Sequence, residues 1–393
     1  MPPDAQLERS SPVTLVDTGS PYDRATSAAS GIALCLSGGG YRAMLFHLGA
    51  FWRLNELGYL KKLDRVSAVS GGAITAGVLG HRWGRLAFDA NGVASRFAAE
   101  VVQPLRALAG KTVDQDAVVG GLLMPGSVAE RVAESYRKYL FGTATLQDLP
   151  GDPPRFVINA TNVQSGALFR FSRPFAADYR VGLIKNPTIE LAVAVAASSA
   201  FPPVLSPLKL ELPVSVWEPP SGLPSEDLHR EPYLTEVVLT DGGVYDNLGL
   251  ETAWKRYDTI LVSNGGGKMQ PEEEPEGDWA RHAVRINEII DNQVRSLRVR
   301  QVVGALAAKE KAGAYWGIRT DISEYGLTDA LACPLDQTLR LAQTKTRLKR
   351  LDGVTQERLI NWGYAICDAA MRRYVVKTEA PPAGFPYAAS TVG

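Results

Sequence analysis

Between residues 31 and 80 the chain passes twice from a short apolar run, through a cluster of glycines, into a helix-forming segment. The first passage reads Gly31-Ile32-Ala33-Leu34 and then "CLSGGGYRAML". The second reads Arg65–Val69 and then Ser70-Gly71-Gly72. A glycine at such a junction either lets another group approach the backbone or lets the chain take a positive φ. Three in a row, Gly38-Gly39-Gly40, before an amphipathic helix ask for more than a tight turn. Two such units in succession predict adjacent parallel strands with their loops at matching ends of one sheet.

The rest of the chain continues this alternation. Apolar spacing predicts a helix over Ala43–Leu57 and a small-residue helix from Gly71 to about Gly80. Residues 93–140 read as largely helical. Arg155–Thr161 and Ala167–Phe171 read as a strand pair, Thr188–Ser199 as a buried helix, and Glu236–Thr240 and Asp258–Ser263 as further strands. Beyond an acidic stretch, "QPEEEPEGD", come a long arginine-containing helix over Trp279–Lys311, a short strand at Ala314–Thr320 and a final helix near Gln356–Tyr374. This order implies an α/β protein, a mostly parallel sheet with helices on both faces.

Composition narrows the function. The 393 residues, 45% hydrophobic, can bury a large core. Forty-two basic and 42 acidic residues cancel, so no global field argues for nucleic acid. Cys35, Cys333 and Cys367 lie far apart and indicate neither a disulfide framework nor a zinc site; no metal or cofactor is called for. The N-terminal residues carry no secretion signal and no apolar run reaches membrane-spanning length, so a cytoplasmic protein is expected.

The glycine run has two functional readings. Gly38, Gly40 and Ala43 fit the dinucleotide fingerprint G-x-G-x-x-A, and the same bare N–H groups at a helix start could receive a developing negative charge. The second unit favours the latter. A dinucleotide fold wants an acid at the end of its second strand; here the strand runs into Ser70, and the nearest acid, Asp64, precedes it. "AVSGG" is one residue away from G-x-S-x-G, the turn that projects a nucleophilic serine from a strand end, although Ser70 could also be a plain helix N-cap. A serine nucleophile needs a base. None of the four histidines (His47, His81, His229, His282) follows a strand late in the chain; His47, inside the first helix, reads as packed or capped. Asp241, closing the strand of "VVLTDGGVYDN" ahead of Gly242 and Gly243, is the best-placed base.

Gly38-Gly39-Gly40-Tyr41-Arg42, Ala68-Val69-Ser70-Gly71-Gly72 and Asp241-Gly242-Gly243 resemble, in order, the three signature blocks of the patatin-like phospholipases. "AVAASSAFPPVLSP" and the "NLGL" after Asp246 resemble two supporting blocks. The resemblance implies a three-layer patatin-like fold and a Ser–Asp dyad that hydrolyses lipid acyl esters through an acyl-enzyme. It implies Ser70 as nucleophile, Asp241 as base, and an oxyanion hole from the N–H groups of Gly39 and Gly40, with Gly38 and Gly71 as further donors. Arg42, Gly72, Gly242 and Gly243 are supporting residues, Arg42 by hydrogen-bonding the loop or by contacting a lipid phosphate. Ala68 stands where the family has glycine.

The expected organisation is an irregular segment over 1–30, a patatin-like catalytic domain over 31–267, an acidic linker over 268–278, a mainly helical C-terminal extension over 279–378 and a tail over 379–393. The expected partners are a phospholipid or other lipid ester and, peripherally, the inner face of a membrane. A signal- or partner-activated effector lipase and a non-catalytic binding protein on the same scaffold are the alternatives. The Pro-rich stretch Leu212–Tyr233, with Trp217, is expected to cover the site and meet lipid. Arg281, Arg285, Arg295 and Arg298 would suit an anionic ligand or simply face solvent, while "AGKT" (Ala109–Thr112) and "SNGGGK" (Ser263–Lys268) read as ordinary loops.

Overall fold

The computed structural model describes residues 29–114, 128–151, 153–219, 228–377 and 379–393. The segment 1–28 and the middle of the Pro-rich stretch therefore lie outside the described residues, as does part of the helical region expected over 93–140.

The described residues form one mixed sheet. Its parallel half runs β11 (Ala312–Gly317), β10 (Tyr257–Asn264), β1 (Ala29–Leu36), β2 (Arg65–Val69) and β3 (Arg155–Asn162). An antiparallel wing continues through β4 (Ala167–Phe171), β5 (Phe175–Asp178), β6 (Gly182–Lys185) and β8 (Trp217–Glu218). β9 (Glu236–Asp241) pairs antiparallel with the carboxyl-terminal part of β3 and with β7 (Leu208–Glu211). β2 is buried at all five positions, as a parallel strand covered on both faces must be.

Helix α1 (Gly40–Glu56) follows β1 and helix α2 (Gly71–Arg82) follows β2. α1 starts earlier than its apolar spacing predicts, so Gly40 opens its first turn. Helix α3 (Leu191–Ser198) is buried along nearly its whole length. The long helix α4 (Trp279–Ala307) and the final helix α5 (Gly353–Tyr374) come after the acidic stretch.

The region past residue 278 is continuous with the core. β11 extends the sheet beside β10, and α5 crosses α1 at small residues: a Cβ on Gly49 would meet the Ile360 carbonyl oxygen at 1.9 Å, and one on Gly363 the Phe46 carbonyl oxygen at 1.9 Å. A buried ion cluster fastens the crossing, with Asp368 accepting from Arg53 at 2.8 Å and from Arg372 at 2.9 Å. The Trp362 indole donates to the Ile318 carbonyl just past β11. The sheet edge and the floor under α1 therefore depend on the C-terminal hundred residues.

Candidate active site

The register of β3 brings the serine and the aspartate together. Asn159 opposes Val69 on β2, and the next residue, Ala160, opposes Asp241 on β9. Ser70 begins where β2 stops and Asp241 ends β9, so the two side chains meet at one corner of the sheet. Ser70 has φ 52° and ψ −119°, a backbone region that side-chain-bearing residues avoid and that costs about 1–3 kcal/mol. No side-chain cap bond is made by Ser70, so it does not act as a plain N-cap. Its strain is held in place from behind. The Ser70 N–H donates to the Ser198 hydroxyl at 2.9 Å, and that hydroxyl donates to the Asn159 carbonyl at 2.6 Å. The Asn159 side chain in turn donates to Ser67 Oγ and to the Ala68 carbonyl. Ala68, at the position where the family has glycine, lies fully buried in the core.

Asp241 is 2% exposed. Burial pushes its carboxyl up to about 7; the Gly243 N–H, donating to Oδ1 at 2.7 Å, and the Ser70 hydroxyl pull it down, while Asp291 pushes it further up. The serine contact falls short of full hydrogen-bond geometry, and Oδ2 is buried without a partner among the described residues. A buried carboxylate with one oxygen tied by the Gly243 N–H, the other unpaired and a serine hydroxyl beside the group can take a proton when the two close up.

Gly38, Gly39, Gly40, Arg42, Ser70 and Asp241 line one cavity of about 690 Å³. Gly39 and Gly40 have φ of +139° and +59° and start α1. Their N–H groups make no hydrogen bond among the described residues, whereas the Gly38 N–H donates to the Asn247 carbonyl at 3.0 Å and is not free for a ligand. Gly71, Gly72, Gly242 and Gly243 stand outside the cavity lining and serve close packing. A Cβ on Gly71 would meet the Gly40 carbonyl oxygen at 2.3 Å, and one on Gly242 the Asn159 carbonyl oxygen at 2.2 Å.

Arg42 braces the glycine loop. Its Nε donates to the Gly265 carbonyl at 3.1 Å and its Nη1 to the Thr344 carbonyl. Nη2 is buried beneath Gly39, whose added Cβ would lie 3.0 Å away. Burial, and then the neighbouring Arg295, lower the guanidinium to about 10. The loop-fixing role of Arg42 is thus visible in its bonds. His47 works from below: its Nε2–H donates to the Ser37 carbonyl at 2.9 Å, and Ser263 Oγ donates to its Nδ1 at 2.8 Å. Burial lowers it to about 4, so it stays neutral. His47 does not line the cavity, nor do His81, His229 and His282.

Ser198, Asn159 and His47 as a brace were not singled out from the sequence. The signal available was a lone polar side chain inside an otherwise apolar helix, Ser198 in "AVAASS", and inside a buried strand, Asn159 in "FVINA". Two expectations are corrected. Trp217 is buried, pairs through β8 with β6, and donates its indole N–H to the Leu234 carbonyl at 2.9 Å; it packs edge-on against Phe169 and faces no lipid. No described residue of the Pro-rich stretch lines the cavity. The rest of the cavity wall includes instead residues of α4 and residues 342–348, the latter packed against the glycine loop. The four arginines are also placed: Arg285 and Arg295 line the cavity and pair with Glu272, Glu288 and Asp291, whereas Arg281 pairs with Glu276 and Asp278 and Arg298 with Glu251.

The fold and the site together define an α/β protein with a serine at the end of a parallel strand beside an aspartate at the end of the antiparallel strand β9, both lining one pocket. Over residues 34–254, more than half of its length, the chain matches the patatin-like phospholipase family, and it belongs to that family. No curated protein matches the sequence. Among solved structures it is similar to human GIVD cytosolic phospholipase A2, with 12% identity and a TM-score of 0.49 over 88% of this chain and 59% of that one. It is also similar to VipD from Legionella pneumophila, with 16% identity and a TM-score of 0.33 over 86% and 66% of the two chains. The type III effector protein ExoU shows 12% identity and a TM-score of 0.33 over 89% and 54%. The chain thus spans about three fifths of the human enzyme's length. No helix among the described residues is long and apolar enough to cross a membrane.

Proposed function

We propose that the protein hydrolyses acyl esters of lipids, phospholipids among them, by a Ser–Asp dyad. The observation that carries the reading is the strained elbow of Ser70 held against a buried Asp241 whose carboxyl is raised to about 7. A base with a pKa near neutrality combines the ionised form it needs with real proton affinity.

In this mechanism Asp241 takes the Ser70 hydroxyl proton as Oγ attacks the ester carbonyl. The N–H groups of Gly39 and Gly40 stabilise the oxyanion. Gly38 is left out because its N–H is engaged. The tetrahedral adduct collapses as Asp241 returns the proton to the leaving alcohol, giving an acyl-serine. Water, deprotonated by the same carboxylate, then attacks the acyl-serine, and Asp241 returns that proton to Ser70 Oγ as the Oγ–acyl bond breaks and the fatty acid leaves. Such donors are worth about 10²–10³ in turnover each.

The buried free thiols of Cys35, Cys333 and Cys367 suit a reducing compartment, and we assign the enzyme to the cytoplasm, meeting its substrate at a membrane surface. The test is to label the protein with a fluorophosphonate and to identify by mass the products formed from a mixed phospholipid extract. The expected result is one adduct on Ser70, fatty acid release, and a folded, inactive Ser70→Ala. Labelling that persisted in Ser70→Ala would remove the assignment.

A further inference from the structure

Helix α4 is amphipathic in the unusual sense. On its charged face Arg285, Glu288, Asp291 and Arg295 line the cavity and are tied into ion pairs, Arg285 with Glu272 at 3.1 Å and Glu288 at 3.2 Å, and Arg295 with Asp291 at 2.9 Å, although Glu288 is still exposed. Its apolar face points outward. Trp279, Ile286, Ile290, Val294 and Leu297 are all exposed, Trp279 at 85%. At 3.6 residues per turn these five fall within about 80° of one another and run for about 27 Å along the axis. A surface helix normally turns such a stripe toward the core. An exposed apolar strip of this length marks a contact surface.

We propose that this face of α4 docks the protein on a lipid bilayer with neutral headgroups. The inference deepens the lipid-hydrolase reading and rests on it. The reverse face of the same helix walls the cavity that holds Ser70 and Asp241, so a bilayer seated on the strip lies next to the site that must receive a lipid. Phe201 and Val204, exposed as well, line the same cavity, and the entrance thus has apolar groups of its own. Trp279, with an apolar ring and a polar N–H, suits the headgroup boundary. The stretch before the helix favours neutral headgroups over anionic ones: Glu273 and Glu274 are exposed, have no ion pair among the described residues, and would repel an anionic surface.

The experiment is co-sedimentation of the full chain with phosphatidylcholine vesicles, alongside turnover of a short soluble ester and analytical ultracentrifugation. Ile290→Glu combined with Leu297→Glu should weaken vesicle binding at least tenfold while soluble-ester turnover stays within about twofold. Trp279→Ala alone should weaken vesicle binding by a smaller factor. Wild-type binding should be tighter to phosphatidylcholine than to phosphatidylglycerol vesicles. A folded double variant that binds phosphatidylcholine as wild type does overturns the proposal. So does a wild-type dimer that the double variant converts to monomer, because a second copy then covers the strip. Sedimentation reads binding without turnover. A chain that bound vesicles through this face yet hydrolysed no ester would uphold the docking surface and overturn the hydrolase reading.

Discussion

The hydroxyl of Ser198 accepts the backbone N–H of Ser70 at 2.9 Å and so stands directly behind the elbow. Because that hydroxyl also donates to the Asn159 carbonyl, it ties the two flanking strands to α3. Ser198→Ala leaves a buried N–H and a buried carbonyl without their partner. It should cost about 1–3 kcal/mol of stability. It should also lower kcat more than it raises KM, since the change is in the aim of Ser70 and not in the cavity wall. Thermal melts together with soluble-ester kinetics check both; unchanged kcat would mean that the elbow holds its shape alone.

The strain at Ser70 can be measured by removing it. Glycine adopts φ near 52° freely, whereas serine does so at a cost of about 1–3 kcal/mol. Ser70→Gly should therefore be inactive yet more stable than wild type, by about 1 kcal/mol after the extra entropy of a flexible unfolded chain is counted. Ser70→Ala keeps the strain and should melt near wild type. A Ser70→Gly protein less stable than Ser70→Ala would contradict the elbow geometry.

Asp241 links activity and stability to pH in opposite senses. Its folded carboxyl, raised by burial to about 7 from an ordinary 3.8, is protonated in the folded state where the unfolded chain would ionise. The stability it contributes is present below about pH 4 and is lost as pH rises through about 7. Turnover should rise over the same upper range, because the base must be ionised. Asp241→Asn should abolish turnover and flatten this part of the stability curve, so that it gains on wild type at pH 8. Denaturant melts at pH 5 and pH 8 for both proteins provide the check.

Gly40, proposed as an oxyanion donor, is also a folding position. Its φ is +59°, and an added Cβ would lie 2.7 Å from the Arg347 carbonyl oxygen and 2.8 Å from the Arg347 nitrogen. That carbonyl also accepts the Tyr41 N–H at 3.1 Å. Gly40→Ala should push the 342–348 segment off the glycine loop and destabilise the protein by about 3 kcal/mol, with loss of activity following. Gly39→Ala meets side-chain atoms first, the Ala43 methyl at 2.9 Å and Arg42 Nη2 at 3.0 Å, with the Gly265 carbonyl at 3.1 Å, and should lose turnover with a smaller fall in melting temperature. Equal melting temperatures for the two variants would contradict the contact with Arg347.

Much of this site was legible locally. The β2 limits, Arg65–Val69, follow from the four apolar or small residues Val66–Val69 ahead of Ser70-Gly71-Gly72, and the glycines of the first loop announce its positive φ values. Motifs of this kind encode backbone geometry within a few residues, so Gly39, Gly40, Ser70 and Asp241 could be named before any contact was known. Their partners could not. Asn159 and Ser198 look like stray polar residues until β3 and α3 pack behind the elbow, and Asp241 is raised chiefly by the burial that tertiary packing imposes on it.

Long-range packing decided what lies around the cavity. Trp217 reads as a lipid-facing aromatic in a proline-rich loop, yet strand pairing between β8 and β6 buries it. The arginines of α4 read as a solvated face, yet two of them line the cavity while the apolar stripe is left outside. Helical periodicity states that a helix has two faces; which one turns inward depends on the charges and carbonyls brought opposite it by distant segments. For this chain the sequence alone determined the strand–loop–helix units and which of their residues stand at the loops that line the cavity, because these rest on local φ, ψ and spacing. Only the tertiary structure decided what braces them, what walls the site and which surface is left for a partner, because those depend on burial between residues hundreds of positions apart.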